Sequence, residues 1–265
     1  MKRYEIKKIY FFNLIVIALV LIACSSQNNL SQNKIPIIQA VKENISGAAS
    51  QEGKVNIKNS PYYKNIDFYN SSPTKTLVKL EKFKTYQQTC EWSCGACCAL
   101  MALNYFNINN VSEKDLVKEM DVRSFDNPRE DGSFGATTDS IVNVFKNRGF
   151  NVTSSFDTQQ EDGKSFNSVE DFYHFVKSKL KENAIIIVEN IEWGGHWRVI
   201  IGYDDMGKPD NTSTHVLIFA DPYDTTDHNQ NGYTIRSVER FFGSWFDHDV
   251  MPANQKIQQY VCVSK

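Results

Sequence analysis

The chain has 265 residues, a formal net charge of −2, 41% hydrophobic residues and 23% charged residues. That length and apolar content suit a globular protein with one good-sized core, and nothing in the charge balance provides an electrostatic footprint for nucleic acid. No block of like charge forms a basic or acidic tail.

The first eight residues, MKRYEIKK, are basic, and the apolar run IYFFNLIVIALVLIA that follows has signal-peptide length, short for a membrane span. It ends in Leu-Ile-Ala-Cys, which resembles the bacterial lipoprotein signal. The resemblance implies removal of residues 1–23, lipidation of Cys24 and export. The mature chain would then be anchored to the bacterial cell membrane on its periplasmic or cell-surface face. An uncleaved anchor and an ordinary secretory signal are the other readings of the same residues. From Ser25 to about Ser60 the chain is dominated by Asn, Gln, Ser and Lys, so residues 24–73 are expected to be a flexible polar tether. Only IPIIQAV (35–41) could dock, and it is the one ground for reading the region as a pro-segment instead. The folded domain is placed at 74–265, without internal repeats.

Within it, SCGACCALMALNYFNI predicts a buried helix from about Cys94 to Phe106. SEKDLVKEM (112–120) opens with Ser followed three residues later by Asp, a variant of the N-terminal capping box. TTDSIVNVFKNRG (137–149) begins with Thr caps and stops at Gly149, and SVEDFYHFVKSKLKEN (168–183) repeats the Ser–Asp opening. After Asn183 the texture changes to AIIIVE, HWRVIIGYD, HVLIFAD and KIQQYVCVS, β-rich runs separated by turn residues. Helices first and strands later predict an α+β domain of two lobes, with a cleft between them suited to a site.

Four of the six cysteines (Cys90, Cys94, Cys97 and Cys98) fall in YQQTCEWSCGACCAL, residues 86–100. Cys90, Cys94 and Cys97 include zinc-ligand spacing, but no second Cys or His pair follows, and no metal is expected. Trp-Ser-Cys-Gly-Ala-Cys resembles a thioredoxin-type motif, which would make Cys94 and Cys97 a thiol–disulfide oxidoreductase pair. The preceding VKLEKFKTYQQT is too polar for the central strand such a fold needs there. A nucleophilic thiol has more support, because a helix N-terminus activates it. It then needs an imidazole, a group to orient that imidazole, and donors for the oxyanion.

The region resembles the papain-like cysteine peptidases, which take one oxyanion donor from a Gln six residues before the nucleophile. With Cys97 attacking, that position falls on Glu91, whose carboxylate would repel the developing charge, and Cys98 stands where those enzymes want Trp or Tyr. With Cys94 attacking, it falls on the amide of Gln88. Electrostatics therefore selects Cys94. The segment Q-x-x-x-x-x-C-G-A-C-C-A-L-M-A-L-N-Y-F then resembles the bacteriocin-processing peptidases and their exported relatives, cysteine peptidase family thirty-nine. GGHWRVIIGYDD resembles that family's histidine strand and HVLIFADPYD its Asp-Pro strand end, so the likeness runs from about Leu77 to the C-terminus.

The resemblance implies a papain-like fold, with an N-terminal helical lobe carrying Cys94 and an antiparallel β lobe carrying His196 and Asp221. Cys94 would attack a carbonyl, His196 would shuttle the proton and Asp221 would orient it, with Asp224 in the same DPYD as the alternative carboxylate. Gln88 and the backbone N–H of Cys94 would hold the oxyanion, and the neighbouring Gln87 should not share that aim. No metal or organic cofactor is required. The implied partner is a peptide or protein substrate, cell-wall peptides included, whose amide bond is hydrolysed or transferred by a monomeric protein. No ATP-binding or transport region is visible, so the export role of transporter-fused members does not carry over. A non-catalytic surface-binding lipoprotein is the alternative outside enzymes.

The other histidines fit structural roles. His174 lies in a helical run between aromatics, His215 opens an apolar strand, and His228 and His248 sit in polar loops. His196 differs because Gly194-Gly195 precedes it, permitting close backbone approach, and because its strand should pair with the one ending at Asp221. DHNQNG (227–232) matches the first half of a calcium loop, but the twelfth position is Val238 rather than Glu, so a polar turn is expected. Trp92, Trp193 and Trp197 flank the motifs and suit either substrate subsites or packing.

Overall fold

The computed structural model describes residues 35–41, 45–52, 66–225 and 229–265. The signal peptide, Cys24, much of the tether, the first two residues of the calcium-like loop, and His228 lie outside the described residues, as does the side chain of Trp193.

The described residues contain seven strands: β1 (Leu77–Lys79), β2 (Asn151–Ser154), β3 (Ile185–Asn190), β4 (His196–Asp204), β5 (Val216–Ala220), β6 (Tyr233–Ser237) and β7 (Tyr260–Ser264). They form one antiparallel sheet in the order β2-β7-β3-β4-β5-β6. The long β4 has a divided edge. Its first half pairs with β3, from Asn190↔His196 to Ile186↔Ile200, and its second half with β1, from Lys79↔Gly202 to Leu77↔Asp204. Every residue of β3 is buried, which is why AIIIVE reads as a continuous apolar run rather than an alternating one.

Helix α1 (Cys94–Tyr105) packs on β4 and β3 and also meets α2 (Glu113–Glu119) and α3 (Thr138–Lys146). Ten of its residues are buried; a helix apolar on all sides belongs inside the protein. The expected caps form. Ser112 and Asp115 close a capping box, Thr137 closes one with Ser140, and Ser168 accepts from the Asp171 N–H. The short α4 (Ser155–Thr158) follows β2, and α5 (Val169–Lys181) covers β1, β3 and β4. After β6, α6 (Val238–Gly243) contributes Phe241 to an aromatic cluster with Phe172, Trp245 and Phe166.

The mixed architecture of helices and an antiparallel sheet is the predicted one, but the segregation is less strict. β1 precedes α1 and β2 lies between helices, yet both join the sheet. Among the described residues no helix is long and apolar enough to cross a membrane.

The expected flexible tether is corrected where it is described. Ile37 bridges Thr85, and the Ile38 N–H donates to the Thr85 carbonyl at 2.7 Å. Further on, the N–H groups of Ser46 and Gly47 donate to the Thr89 carbonyl, and that of Ala49 to Gln88. Ala48 is fully buried, and its carbonyl accepts from Gln230 Nε2 at 2.7 Å. A Cβ on Gly47 would lie 2.8 Å from the carbonyl oxygens of both Gln88 and Cys90. Small residues let this strap approach the main chain closely, a signal hidden in a polar composition.

Candidate active site

Cys94 opens α1 with Ser93 at its N-cap, and the Ser93 hydroxyl does not cap the helix. The first-turn N–H groups of α1 therefore keep no intrahelical or side-chain acceptor, and they set a positive field at the thiol. Ser93 Oγ turns away, donating to Glu113 at 2.5 Å with the Cys90 carbonyl 3.0 Å away as a second acceptor within reach. The buried Glu113 carboxylate also accepts from Tyr86 Oη (2.7 Å), Thr89 N–H (3.0 Å) and Thr89 Oγ1 (2.7 Å). One carboxylate thus fixes both ends of the loop that delivers Cys94. In the sequence Glu113 is simply an acidic residue in the first turn of α2.

His196 begins β4 after a turn in which Gly194 and Gly195 have φ of 76° and 108°, conformations open to glycine. Its Nε2 lies 2.7 Å from Asp221 Oδ1, both side chains being buried. The Cys94 side chain adjoins the ring closely enough to influence its charge. With Nε2 committed to Asp221, Nδ1 is the atom left facing the thiol. Burial alone would lower the His196 pKa, but the charge and hydrogen bond of Asp221, together with Cys94, raise it to about 9. Burial would raise Asp221. The charge and hydrogen bond of His196, then Arg198 and the Tyr223 N–H, hold its carboxyl well below the usual range instead.

The structure brings Cys94, His196 and Asp221 into one row and separates the two candidate acids. Asp224 Oδ2 accepts from the Gly232 N–H at 2.7 Å, bracing its own loop, while Asp221 takes the imidazole. The Asp221 carboxylate also accepts from the Tyr223 N–H at 2.9 Å and Thr234 Oγ1 at 3.3 Å. Arg198 went unnoticed in the sequence. Two residues beyond His196, it shares that residue's face of β4 and sits 3.7 Å from Asp221 Oδ2, tied to Glu192 at 2.7 Å and Asn190 at 2.8 Å. The i, i+2 alternation from His196 is the signal that could have found it.

Gln88 departs from expectation. Its Nε2 donates to the carbonyls of Cys90 (2.6 Å) and Glu91 (3.0 Å), occupying both amide hydrogens, and its buried Oε1 has no donor. The amide braces the turn before α1 rather than standing ready at an oxyanion position. Gln88→Ala should therefore lower stability by about 1–3 kcal/mol while kcat falls less than about tenfold. Thermal denaturation beside steady-state kinetics checks this; a loss of about 10²–10³ in kcat at unchanged Tm would restore the oxyanion role. Gln87 is not an idle neighbour either. Its Nε2 donates to the Asp221 carbonyl at 2.9 Å, and its Oε1 accepts from the Asp224 N–H at 3.1 Å.

Cys97 and Cys98 are poorly placed for chemistry. Cys97 and Cys98 are fully buried, and burial pushes both thiols well above their ordinary pKa, with Glu113 adding to the effect at Cys97. Among the described residues no group of three His, Cys, Asp or Glu is placed to hold a metal. His215 is bound between Tyr203 Oη and the Lys208 carbonyl, while His174 and His248 lie tilted against the rings of Tyr173 and Phe246. Trp197 is buried, donates to the Ala136 carbonyl at 3.0 Å and packs where Gly95 leaves room, which favours its packing role.

No curated protein matches the chain. Among solved structures it is similar to the peptidase domain of Streptococcus ComA, a bifunctional ABC transporter involved in quorum sensing, at 17% identity and a TM-score of 0.37. That match covers 69% of this chain and 96% of that one. Residues 80–250 match the model of the Peptidase_C39 like family, well over half of the sequence. The chain belongs to the Peptidase_C39 like family.

Proposed function

We propose that the protein is a cysteine peptidase that cleaves, or transfers, peptide and amide bonds through an acyl-enzyme on Cys94. The observation that carries this reading is the row Cys94–His196–Asp221, with the thiol at an uncapped helix N-terminus. The thiolate attacks the substrate carbonyl, and the first-turn N–H groups of α1, that of Cys94 first, hold the oxyanion. The imidazolium gives its Nδ1 proton to the leaving amine, and the ester-like acyl group passes to water or to another amine. Asp221 keeps the ring oriented and stabilises its charge.

The substrate class is a peptide or protein, cell-wall peptides included, and the protein acts as a monomer. Lipidation of Cys24 would place the activity at the membrane surface of an exported protein, resting on the Leu-Ile-Ala-Cys sequence.

A thiol-reactive peptide probe, followed by mapping of the modified cysteine, tests the assignment. Near neutral pH the probe should label Cys94 and spare Cys97 and Cys98. First labelling at Cys97 or Cys98 would move the nucleophile and overturn the register.

A further inference from the structure

Beside the Cys94–His196–Asp221 row lie two buried acids, Glu189 and Asp247. Glu189 of β3 is 1% exposed, and Asp247, between α6 and β7, is 0% exposed. Asp247 Oδ2 lies against Gly195, and the next residue, His196, pairs with Asn190, the neighbour of Glu189. The Asp247 carboxyl acts on Glu189 there by its charge and by a hydrogen bond that needs one proton. Asp247 Oδ1 is satisfied by the N–H groups of Asp249 (2.8 Å) and Val250 (3.0 Å). Asp247 Oδ2 and both oxygens of Glu189 are buried without an N–H or hydroxyl donor at hydrogen-bond distance.

Among the described residues, no cation figures in the surroundings that act on Glu189. The charged or titratable groups facing Glu189 are Asp247 and, from α1, the Cys94 thiol; β4 turns the main-chain N–H of His196 towards it. From the segment before β7, the Gln259 carbonyl accepts the Glu189 N–H. Arg198 is engaged by Glu192 and Asn190, with Asp221 beyond. Asp247 has two N–H donors for its charge, whereas an ionised Glu189 beside it would be a second buried negative charge without a donor of its own, so one of the two must be neutral. Burial, then the Asp247 charge, push Glu189 well above the usual carboxylate range.

The pair also has a mechanical position. Asp247 Oδ2 and Val250 press on Gly195 so closely that a Cβ there would collide with the carboxylate. Gly195 is the residue before His196, so the acid pair underlies the turn that aims the imidazole.

We propose that Glu189 and Asp247 hold one proton between them as a carboxylic acid–carboxylate pair, and that this pair positions the Gly195–His196 main chain against Cys94. The role in turnover rests on the peptidase reading above; the shared proton does not. Losing that proton puts two like charges under the turn and loosens it.

The test compares Glu189→Gln, whose amide N–H replaces the shared proton, with Glu189→Ala, which leaves Asp247 Oδ2 without a partner. The alanine variant should lose about a hundredfold in kcat with KM little changed, and the glutamine variant should recover at least about tenfold of that. Proton linkage gives a readout independent of catalysis. An acid whose folded pKa is raised contributes stability that is full below its unfolded value and is lost as pH rises through the folded value. The Tm advantage of wild type over Glu189→Gln should therefore shrink steadily as pH rises from acid to alkaline. A protonated-carboxyl stretch should appear in the neutral-pH infrared spectrum of the wild type and vanish in Glu189→Gln. Asp247→Asn, which can donate to Glu189, should fold and give the same spectral loss if the glutamine variant does not fold. Identical Tm–pH profiles in wild type and Glu189→Gln, or no protonated-carboxyl band in the wild type, would overturn the shared proton. A glutamine variant as slow as the alanine variant would overturn the positioning role. Failure of every variant and of the wild type to cleave any substrate, with the linkage intact, would count against the peptidase reading alone.

Discussion

Cys94→Ala will abolish amide and peptide turnover, by about four orders of magnitude or more, while Cys97→Ala stays within about tenfold of wild type. The asymmetry follows from position. Cys94 is the cysteine that meets the His196 ring, at the first residue of α1. Cys97, one turn along, is fully buried, its thiol pushed up by burial and by Glu113 and its Sγ turned to Ser93 Oγ at 3.9 Å. An acyl transfer needs one thiolate, whereas a dithiol exchange needs both sulfurs and an accessible path between thiol and disulfide. Steady-state turnover of the two variants, alongside insulin reduction by the wild type, separates the chemistries. Equal losses in both variants together with insulin reduction would return the site to the C-G-A-C pair.

The sequence carried the site better than it carried the scaffold's edges. Cys94 was legible because helix composition begins there and because the amide-or-carboxylate contrast between Gln88 and Glu91 selected a register. His196 and Asp221 were legible because one follows two glycines into a β run and the other ends the next run, and β4 does pair with β5 between Val199 and Ala220. What stayed hidden were groups whose role depends on contacts distant in sequence. Glu113 looks like an acid in a helix's first turn, yet it organises a loop some twenty residues earlier. Arg198 looks like an exposed charge in a strand, yet it is 1% exposed and packs over the Phe219 ring at 4.6 Å. Gln88 entered the reading as an oxyanion donor, and its neighbours give it a different task, because a side-chain amide two residues from a carbonyl satisfies local backbone first.

The fold's short pieces were lost for a related reason. β1 has three residues and includes Lys79, whose ammonium reaches the Ser71 carbonyl at 2.9 Å while the residue is 4% exposed. Three residues hold too little alternation to read as a strand, and a buried lysine argues against one until its partner is known. The strap at 45–52 is harder still. Its docking uses main-chain hydrogen bonds and absent side chains, and neither leaves a hydrophobic pattern.

Asp221→Asn should cost about three to four orders of magnitude in kcat/KM, while Asp224→Asn should cost stability with little change in rate. Asp221 Oδ1 stands 2.7 Å from His196 Nε2, and its negative charge is the main influence raising the imidazole to about 9 against the opposing effect of burial. In the wild type the proton needed by the leaving amine is present until pH rises through about 9, so kcat/KM should fall on that alkaline side. Asparagine keeps the shape and can still accept from Nε2, but the charge is gone. Burial then dominates at His196, the imidazolium is lost at lower pH, and the alkaline limb of the profile should move towards acid. Asp224 binds the Gly232 N–H instead of the ring, so Asp224→Asn should leave that limb where it is and lower Tm. The pH profiles of kcat/KM for the two variants decide between them. An unmoved limb in Asp221→Asn with a shifted one in Asp224→Asn would transfer the orienting role to Asp224, and the row through His196 would have to be redrawn.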